Sequence, residues 1–263
     1  MDSHRPHRRN NHRSNAVLLL LVVSLPTIVF SSLSPIAVAS EEKVKVTVYY
    51  EALCPSSENF IINYLYKIFN NGMISVVDLE LSPYGNARIS SNGTIVCQHG
   101  EWECLLNTVE ACVIHVWPAV TDHFPFVYCV ERLNKDGKYT EWESCFETLN
   151  LDPKPVADCY SSGLGYKLEV GYADETMALD PPHEYVPWVV VDGQPLYDDY
   201  TNFISYICKA YRGSNVPQAC LSLLPPITAS KDPVCYKDEG FKSKSTLSEI
   251  ISSMLDSWIT MLA

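Results

Sequence analysis

The sequence contains little basic charge, since 19 Lys and Arg stand against 31 Asp and Glu in 263 residues, giving a formal net charge of −12. A nucleic-acid partner is therefore not expected, because nucleic-acid-binding domains cluster lysine and arginine on one face. The chain also has no internal repeats and no low-complexity tracts. A hydrophobic content of 47% excludes a wholly disordered chain and indicates that a packed core can form.

Only one long apolar run is present, at residues 16–25, and it follows a stretch with four arginines. It leads to the small residues Ala37-Val38-Ala39, an order that is typical of a secretory signal peptide. We therefore predict that residues 1–39 are a signal peptide. The alternative of a retained membrane helix is disfavoured because Pro26 and the serines after it interrupt the run.

The signal peptide sets the expected compartment and charge of the mature chain. Cleavage after residue 39 removes four arginines and one aspartate, which changes the formal net charge from −12 to −15. The expected location is the secretory pathway, with secretion, lysosome or vacuole as end points and no membrane attachment after cleavage. The triplet Asn92-Gly93-Thr94 is a glycosylation acceptor in such a compartment, so Asn92 is predicted to carry a glycan.

The alternation of Val44, Val46, Val48 and Tyr50 predicts a first strand, and helical spacing follows from Phe60. A second strand is predicted at Met73–Leu81, which completes a parallel β-α-β unit. Between about 82 and 182 the pattern changes to short helices with six cysteines, and we interpret this region as a helical insertion. Its clearest helical segments are Trp102–Trp117 and Tyr139–Leu149.

A β-β-α unit is predicted after the insertion. We predict a buried strand at residues 186–191, a hairpin turn at Asp192-Gly193 and a return strand at residues 194–197. An amphipathic helix is predicted at residues 199–212. The predicted fold is therefore α/β and thioredoxin-like, with β-α-β, a Cys-rich helical insertion and β-β-α, stapled by disulfides. It spans residues 40–222, and residues 223–263 form a tail that ends in a possible helix at 247–262.

Cys54 lies between the first strand and the helix, where unpaired N–H groups and the positive end of the helix dipole stabilise a thiolate. This is the placement of a thiol–disulfide nucleophile. The motif is Cys54-Pro55-Ser56-Ser57, so a serine stands where a dithiol reductase has its resolving cysteine. Ser57 is predicted either to donate a hydrogen bond to the thiolate or to cap the helix. Ser56 is a second candidate for the helix cap.

Residues 97–112 resemble the signature of the gamma-interferon-inducible lysosomal thiol reductase (GILT) family, C-Q-H-G-x-x-E-C-x-x-N-x-x-x-x-C, at all eight specified positions. Residues 49–54, residues 185–189 and the pair Cys208 and Cys220 are also similar to that family, so the resemblance covers about residues 43–222. It implies a thioredoxin-like glycoprotein that reduces protein disulfides at acidic pH. It places the nucleophile at Cys54, and Val186-Pro187 as a cis peptide bond that holds the substrate backbone.

All ten cysteines follow the predicted cleavage point, in a compartment that permits disulfides. With Cys54 catalytic and Cys235 in the tail, eight remain as structural disulfide candidates: Cys97, Cys104, Cys112, Cys129, Cys145, Cys159, Cys208 and Cys220. Three fates stay open for Cys235: a free thiol, a bridge between chains, or a remote resolving cysteine. An alternative zinc site at Cys97, His99, Cys104 and Cys112 is disfavoured by its spacing, and no metal is expected. His99 stays open as an acid or base.

Three functions remain open at this point. The preferred hypothesis is a thiol oxidoreductase that reduces or exchanges protein disulfides by a monothiol mechanism through Cys54. It needs no cofactor beyond an external thiol such as glutathione or cysteine. The alternative is a catalytically inactive GILT-like protein that binds thiol- or disulfide-containing proteins, which Ser57 favours. A third hypothesis is a structural secreted glycoprotein, whose mark would be a stable disulfide at Cys54.

Overall fold

The computed structural model describes residues 43–222 and 233–237. The predicted signal peptide at 1–39 and the possible helix at 247–262 lie outside the described residues. No helix within the described part of the chain is long and apolar enough to cross a membrane.

The central sheet has four strands in the order β2-β1-β6-β7. The strands are β1 (Val44–Tyr50), β2 (Val77–Pro83), β6 (Trp188–Val191) and β7 (Gln194–Pro195). β1 pairs in parallel with β2 and antiparallel with β6, so that Val48 lies between Leu81 and Val189. β7 pairs antiparallel with β6 through the Asp192-Gly193 turn, where both residues have positive φ. Four strands in this order, with β6 reversed relative to β1, form a thioredoxin-like sheet.

The connection from β1 to β2 is helical. It consists of α1 (Pro55–Phe60), a π-helical turn (Ile61–Leu65), α2 (Lys67–Asn70) and a 3₁₀ turn (Met73–Val76). The predicted start of the second strand at Met73 is therefore wrong by four residues. Met73 and Val76 are buried in the 3₁₀ turn, so their apolar character reports burial and not strand geometry.

A helical insertion follows β2, as the sequence predicted. After the short hairpin of β3 (Arg88–Ile89) and β4 (Ile95–Val96) it contains the helices α3 (Glu101–Val116), α4 (Val120–Lys135), α5 (Ser144–Leu149), α6 (Lys154–Ser161) and α7 (Leu164–Met177). The segment Tyr139–Leu149 is not one helix, because a 3₁₀ turn at Tyr139–Glu141 precedes α5. The insertion has its own core around the buried Phe126, Trp142 and Phe146.

The strand predicted at residues 186–191 is interrupted. β5 (Tyr185–Val186) pairs with β8 (Cys235–Tyr236) in a separate two-stranded sheet, and β6 begins only after Pro187. Because proline has no N–H to donate, it separates the two strands at this point. Likewise, the predicted helix at 199–212 begins as a 3₁₀ turn (Tyr197–Asn202) and becomes α-helical only in α8 (Phe203–Ala210).

The main core lies between the sheet and the helices α1 and α8, where Phe60, Tyr200 and Phe203 are in edge-to-face contact. The short helix α9 (Gln218–Leu221) is joined to α8 by the disulfide Cys208–Cys220. Two further bridges staple the insertion, Cys112–Cys159 and Cys129–Cys145, and Cys97–Cys104 closes the loop before α3. These four bridges use the eight cysteines that the sequence set apart as structural.

Candidate active site

Cys54 is the N-cap residue of α1, four residues beyond the end of β1. It has extended backbone angles, with φ −78° and ψ 117°, and its carbonyl accepts a hydrogen bond from the N–H of Glu58. Pro55 occupies the first helical position, where its missing N–H costs no hydrogen bond. The sulfur therefore lies at the positive end of a helix, which is the environment that favours a thiolate.

The described cysteines include no free thiol, and Cys54 is bonded to Cys235. Their Cα atoms are 6.2 Å apart and the two residues are separated by 181 positions in sequence. In this structure Cys235 is therefore neither a free thiol nor bridged to another chain, and its bond to Cys54 is the one that a remote resolving cysteine would also form. Both sulfur-bearing residues are buried, together with Val186.

Val186 and Pro187 adjoin Cys54. The peptide bond between them is cis, as the family resemblance implied, and the Val186 carbonyl oxygen lies 3.7 Å from the Cys54 sulfur. β5 presents the backbone of Tyr185 and Val186 to β8, so that Val186 is directly opposite Cys235. This places an extended peptide beside Cys54, on the residues predicted to hold the substrate backbone.

Ser57 does not cap the helix, and neither does Ser56. The helix begins at Pro55, so both serines lie within its first turn, and no side chain makes a cap hydrogen bond. The Ser57 hydroxyl is buried and has no hydrogen-bond partner among the described residues. It is one helical turn from Cys54, which leaves it available to a thiolate there.

Two asparagines of the insertion fix the loop that leads from β1 to Cys54. The side chain of Asn107, on α3, accepts a hydrogen bond from the Ala52 N–H at 3.0 Å. The side chain of Asn134, on α4, donates to the Ala52 carbonyl at 2.6 Å. Both asparagines are buried, and the insertion therefore positions the loop that carries Cys54. Asn107 is a specified position of the signature, whereas nothing in the sequence marked Asn134.

The other polar signature residues lie at the start of α3. The Glu103 carboxyl accepts the His99 N–H at 2.9 Å, and its other oxygen lies 2.5 Å from His99 Nδ1. Glu51 Oε2 is 3.7 Å from the same nitrogen. These three residues bring ligand atoms within 4.8 Å of one another, but their contacts are those of a hydrogen-bonded helix start. The alternative zinc site is wrong, because its three cysteines are all in disulfides.

Buried carboxyl groups surround this region. Burial, and then the charge of Glu103, raises the pKa of Glu51 well above its ordinary value. Burial also raises the pKa of Glu58 to about 7, against the opposing effects of His99 and Lys135. Both groups therefore favour the neutral acid form under acidic conditions, and the site carries less negative charge there than its composition suggests.

Asn92 lies in the turn between β3 and β4 and is exposed. Its side-chain oxygen accepts hydrogen bonds from the Ser90 hydroxyl and the Thr94 N–H. The nitrogen to which a glycan would be attached is thus presented on an exposed loop.

Comparison with known proteins gives a family match. Residues 45–149 match the family model described as "Gamma interferon inducible lysosomal thiol reductase (GILT)". The "Gamma-interferon-responsive lysosomal thiol protein" of Arabidopsis thaliana is 44% identical over 184 residues, covering 68% of this chain and 76% of that protein. The "Gamma-interferon-inducible lysosomal thiol reductase" of Mus musculus is 34% identical over 210 residues, covering 78% and 81%.

A solved structure with a related backbone is that of Chlamydia trachomatis DsbA. It superposes with a TM-score of 0.46 and 15% identity, covering 62% of this chain and 85% of that one.

Proposed function

This chain belongs to the gamma-interferon-inducible lysosomal thiol reductase family, and on that premise we propose that it reduces or exchanges protein disulfides through Cys54. The observation that carries the proposal is the bond from Cys54, at the start of α1, to a cysteine on an extended strand beside Val186-Pro187. A mixed disulfide between Cys54 and a substrate protein requires the same arrangement.

The proposed reaction begins with the Cys54 thiolate. It attacks one sulfur of a substrate disulfide, a new bond forms between Cys54 and that sulfur, and the substrate bond breaks. The electron pair of the broken bond leaves on the second substrate sulfur, which takes up a proton. The Ser57 hydroxyl, buried and without another partner among the described residues, donates a hydrogen bond to the Cys54 thiolate and so stabilises the attacking form.

Release of the bound substrate needs a second thiol. The turn that follows Cys54 contains only Pro55, Ser56 and Ser57, so it holds no cysteine that could attack the mixed disulfide. We propose a monothiol mechanism in which a small thiol such as glutathione or cysteine attacks the Cys54 sulfur. The substrate then leaves as a thiol, and a second small thiol restores Cys54 with formation of the oxidised small disulfide.

The proposed place of action is the secretory pathway, ending in a lysosome or vacuole or outside the cell. Two features of this chain support an acidic, oxidising location. Its ten cysteines form five disulfides, and several buried glutamates have raised pKa values, among them Glu58 at about 7 and Glu169 at about 8. Buried carboxyls of this kind are neutral in an acidic compartment and destabilise the fold as they ionise.

A second candidate function is binding without turnover. It is favoured by Ser57 and by the observation that Cys54 is fully buried in its disulfide with Cys235. A structural glycoprotein would show the same bridge. The candidates differ in whether that bridge is opened by physiological thiols, because a structural disulfide resists reduction by the glutathione pool whereas a redox-active one does not.

The test is a redox titration of the mature chain in glutathione buffers at acidic and neutral pH, with trapping of free thiols and peptide mapping. We expect Cys54 and Cys235 to become labelled before the other eight cysteines. A disulfide-reduction assay with added glutathione should show activity that Cys54→Ala abolishes and Cys235→Ser does not. A bridge that opens only together with the structural disulfides would refute the enzymatic proposal and favour the structural one.

A further inference from the structure

The segment Pro233–Lys237 lies against the active site as an extended strand. Val186 is opposite Cys235 and Tyr185 is opposite Tyr236 in an antiparallel pair. The pairing is continued by a hydrogen bond from the Lys237 N–H to the Glu184 carbonyl at 3.2 Å. One edge of this segment is therefore bound entirely through main-chain atoms.

Side chains from the β2–α3 region bind three consecutive carbonyl groups of the same segment. Asn86 Nδ2 donates to the carbonyl of Cys235 at 3.0 Å, and Gln98 Nε2 donates to that of Tyr236 at 2.6 Å. Arg88 Nη2 donates to the carbonyl of Lys237 at 3.0 Å. The three donors form, with β5, a groove that contacts an extended peptide on its backbone.

The groove is preorganised by hydrogen bonds within the domain. Asn86 Nδ2 also donates to Gln98 Oε1 at 2.9 Å, so the Gln98 oxygen is occupied and its NH₂ group faces the peptide. The Asn86 N–H donates to Glu51 Oε1 at 2.7 Å, which ties it to the loop before Cys54. Gly85 permits this approach, because its φ is +55° and an added Cβ would lie 2.5 Å from Glu51 Cγ.

The hydrogen bonds of the groove carry little sequence information, because they go to main-chain carbonyls. Two side chains of the segment also pack against the domain, Tyr236 edge to face on Tyr185 and Val234 on the core. The side chain of Tyr236 is 53% exposed and that of Lys237 is exposed as well, so neither is enclosed by the groove. Asn86 and Gln98, by contrast, are 1% and 2% exposed. Buried donors need a partner, and a peptide carbonyl of any sequence supplies one.

We propose that Asn86, Arg88 and Gln98 are main-chain-binding residues for the substrate, an extended polypeptide with a disulfide-bonded cysteine, and that Pro233–Lys237 occupies their groove in the oxidised chain. The inference rests on the proposed function, since it assigns the substrate site of that reaction. A groove of this kind would accept polypeptides of different sequence, because recognition would depend on the backbone and on one cysteine.

The geometry makes Cys235 a competitor of the substrate and not its resolving thiol. Attack on a disulfide sulfur is in line, so the incoming thiolate approaches the Cys54 sulfur opposite the leaving sulfur. If the substrate takes the strand position of Pro233–Lys237, its sulfur lies where that of Cys235 now lies, and Cys235 cannot then approach Cys54 from the opposite side. The groove is vacated when two small thiols reduce the bridge, which yields two protein thiols and one small disulfide.

The test uses the full chain with Cys235→Ser, reduced so that Cys54 is free, and two disulfide probes. One is the peptide Pro-Val-Cys-Tyr-Lys as its mixed disulfide with mercaptoethanol, and the other is bis(hydroxyethyl) disulfide, which has no peptide backbone. Adding Gln98→Met or Arg88→Met should slow the reaction of Cys54 with the peptide about two- to tenfold for each lost hydrogen bond. The rate with bis(hydroxyethyl) disulfide should not change.

Arg132→Met is the matched control for Arg88→Met, because Arg132 is also exposed but lies on α4, outside the groove. It should alter neither rate. Because Arg88 is at the surface, Arg88→Met should fold even if the buried substitution Gln98→Met prevents folding, and the test can then be made with Arg88→Met alone. Unchanged peptide rates, or equal losses with both probes, would overturn the groove assignment. Failure of Cys54 to react with either probe would instead refute the proposed function.

Discussion

A buried carboxyl at the interface of α3 and α7 provides a test of how this fold responds to pH. Glu169 is 1% exposed and contacts the Thr108 hydroxyl. That hydroxyl also lies 2.8 Å from the Cys104 carbonyl, which can only accept a hydrogen bond. Thr108 has a single hydroxyl proton, so it can donate to only one of its two acceptors, Glu169 Oε2 and the Cys104 carbonyl, when Glu169 is ionised. A protonated Glu169 carboxyl can itself donate to Thr108, which leaves the hydroxyl proton for Cys104.

The size of the effect follows from the pKa. Burial raises the pKa of Glu169 to about 8 from an ordinary 4.5. Between those values the folded chain holds a proton that the unfolded chain has released, so the free energy of unfolding falls as the pH rises through this window. At about 1.4 kcal/mol per pH unit, Glu169 makes the fold about 2.5 kcal/mol less stable at pH 7 than at pH 5.

Glu169→Gln should remove this dependence, since the amide also donates to Thr108 and has no proton to lose. The unfolding free energy of both chains is measured by denaturant titration in the oxidised state at pH 5 and pH 7. We expect the difference, variant minus unsubstituted chain, to be about 2.5 kcal/mol larger at pH 7 than at pH 5. Glu147→Gln, an exposed change on α5, is the control and should follow the unsubstituted chain. Parallel curves for Glu169→Gln would refute protonation of this carboxyl.

Three further predictions follow from the bridges and the glycan site. Ser57→Cys should form a bridge to Cys54 at the expense of the Cys54–Cys235 bridge, because two cysteines three residues apart in the first turn of a helix are within disulfide range. Disulfide mapping should show the new bridge, and turnover should depend less on the concentration of the small thiol. Removing the Cys112–Cys159 bridge by a double change to alanine, across a separation of 47 residues, should lower the unfolding free energy by about 4 kcal/mol in a denaturant titration. Asn92→Gln should abolish an endoglycosidase-sensitive mass shift of the secreted chain, and an unchanged mass would show that the site is unused.

The strands of the sheet were predictable where the sequence pattern is produced by one kind of structure only. In β1 the alternating Val44, Val46 and Val48 all belong to the main core, and Asp192-Gly193 forms the hairpin turn as predicted. The errors lie where burial without a strand gives the same apolar signal. Met73 and Val76 are buried in a 3₁₀ turn, so hydrophobicity alone could not place the start of β2.

The candidate site was only partly predictable. Cys54 stands out because a cysteine between a strand and a helix is chemically distinctive, and cysteine parity set Cys235 apart with it. Asn86 and Asn134 gave no such signal, since asparagine is common in loops and on helix surfaces and their roles depend on contacts across long separations. Asn134 lies 82 positions from the carbonyl that it binds, and Asn86 lies 149 from its own. Sequence spacing carries no information on such contacts.

The missing resolving cysteine and the occupied groove have a common consequence. In the oxidised chain Cys54 is bonded to Cys235, so on the proposed mechanism a small thiol has to open this bond before a protein disulfide can react with Cys54. On the same mechanism a small thiol acts again to release the substrate, because a serine, Ser57, stands where a dithiol reductase has its resolving cysteine. The proposed reaction therefore depends on the external thiol supply at both steps, and a measured dependence of this kind would distinguish this site from a dithiol reductase.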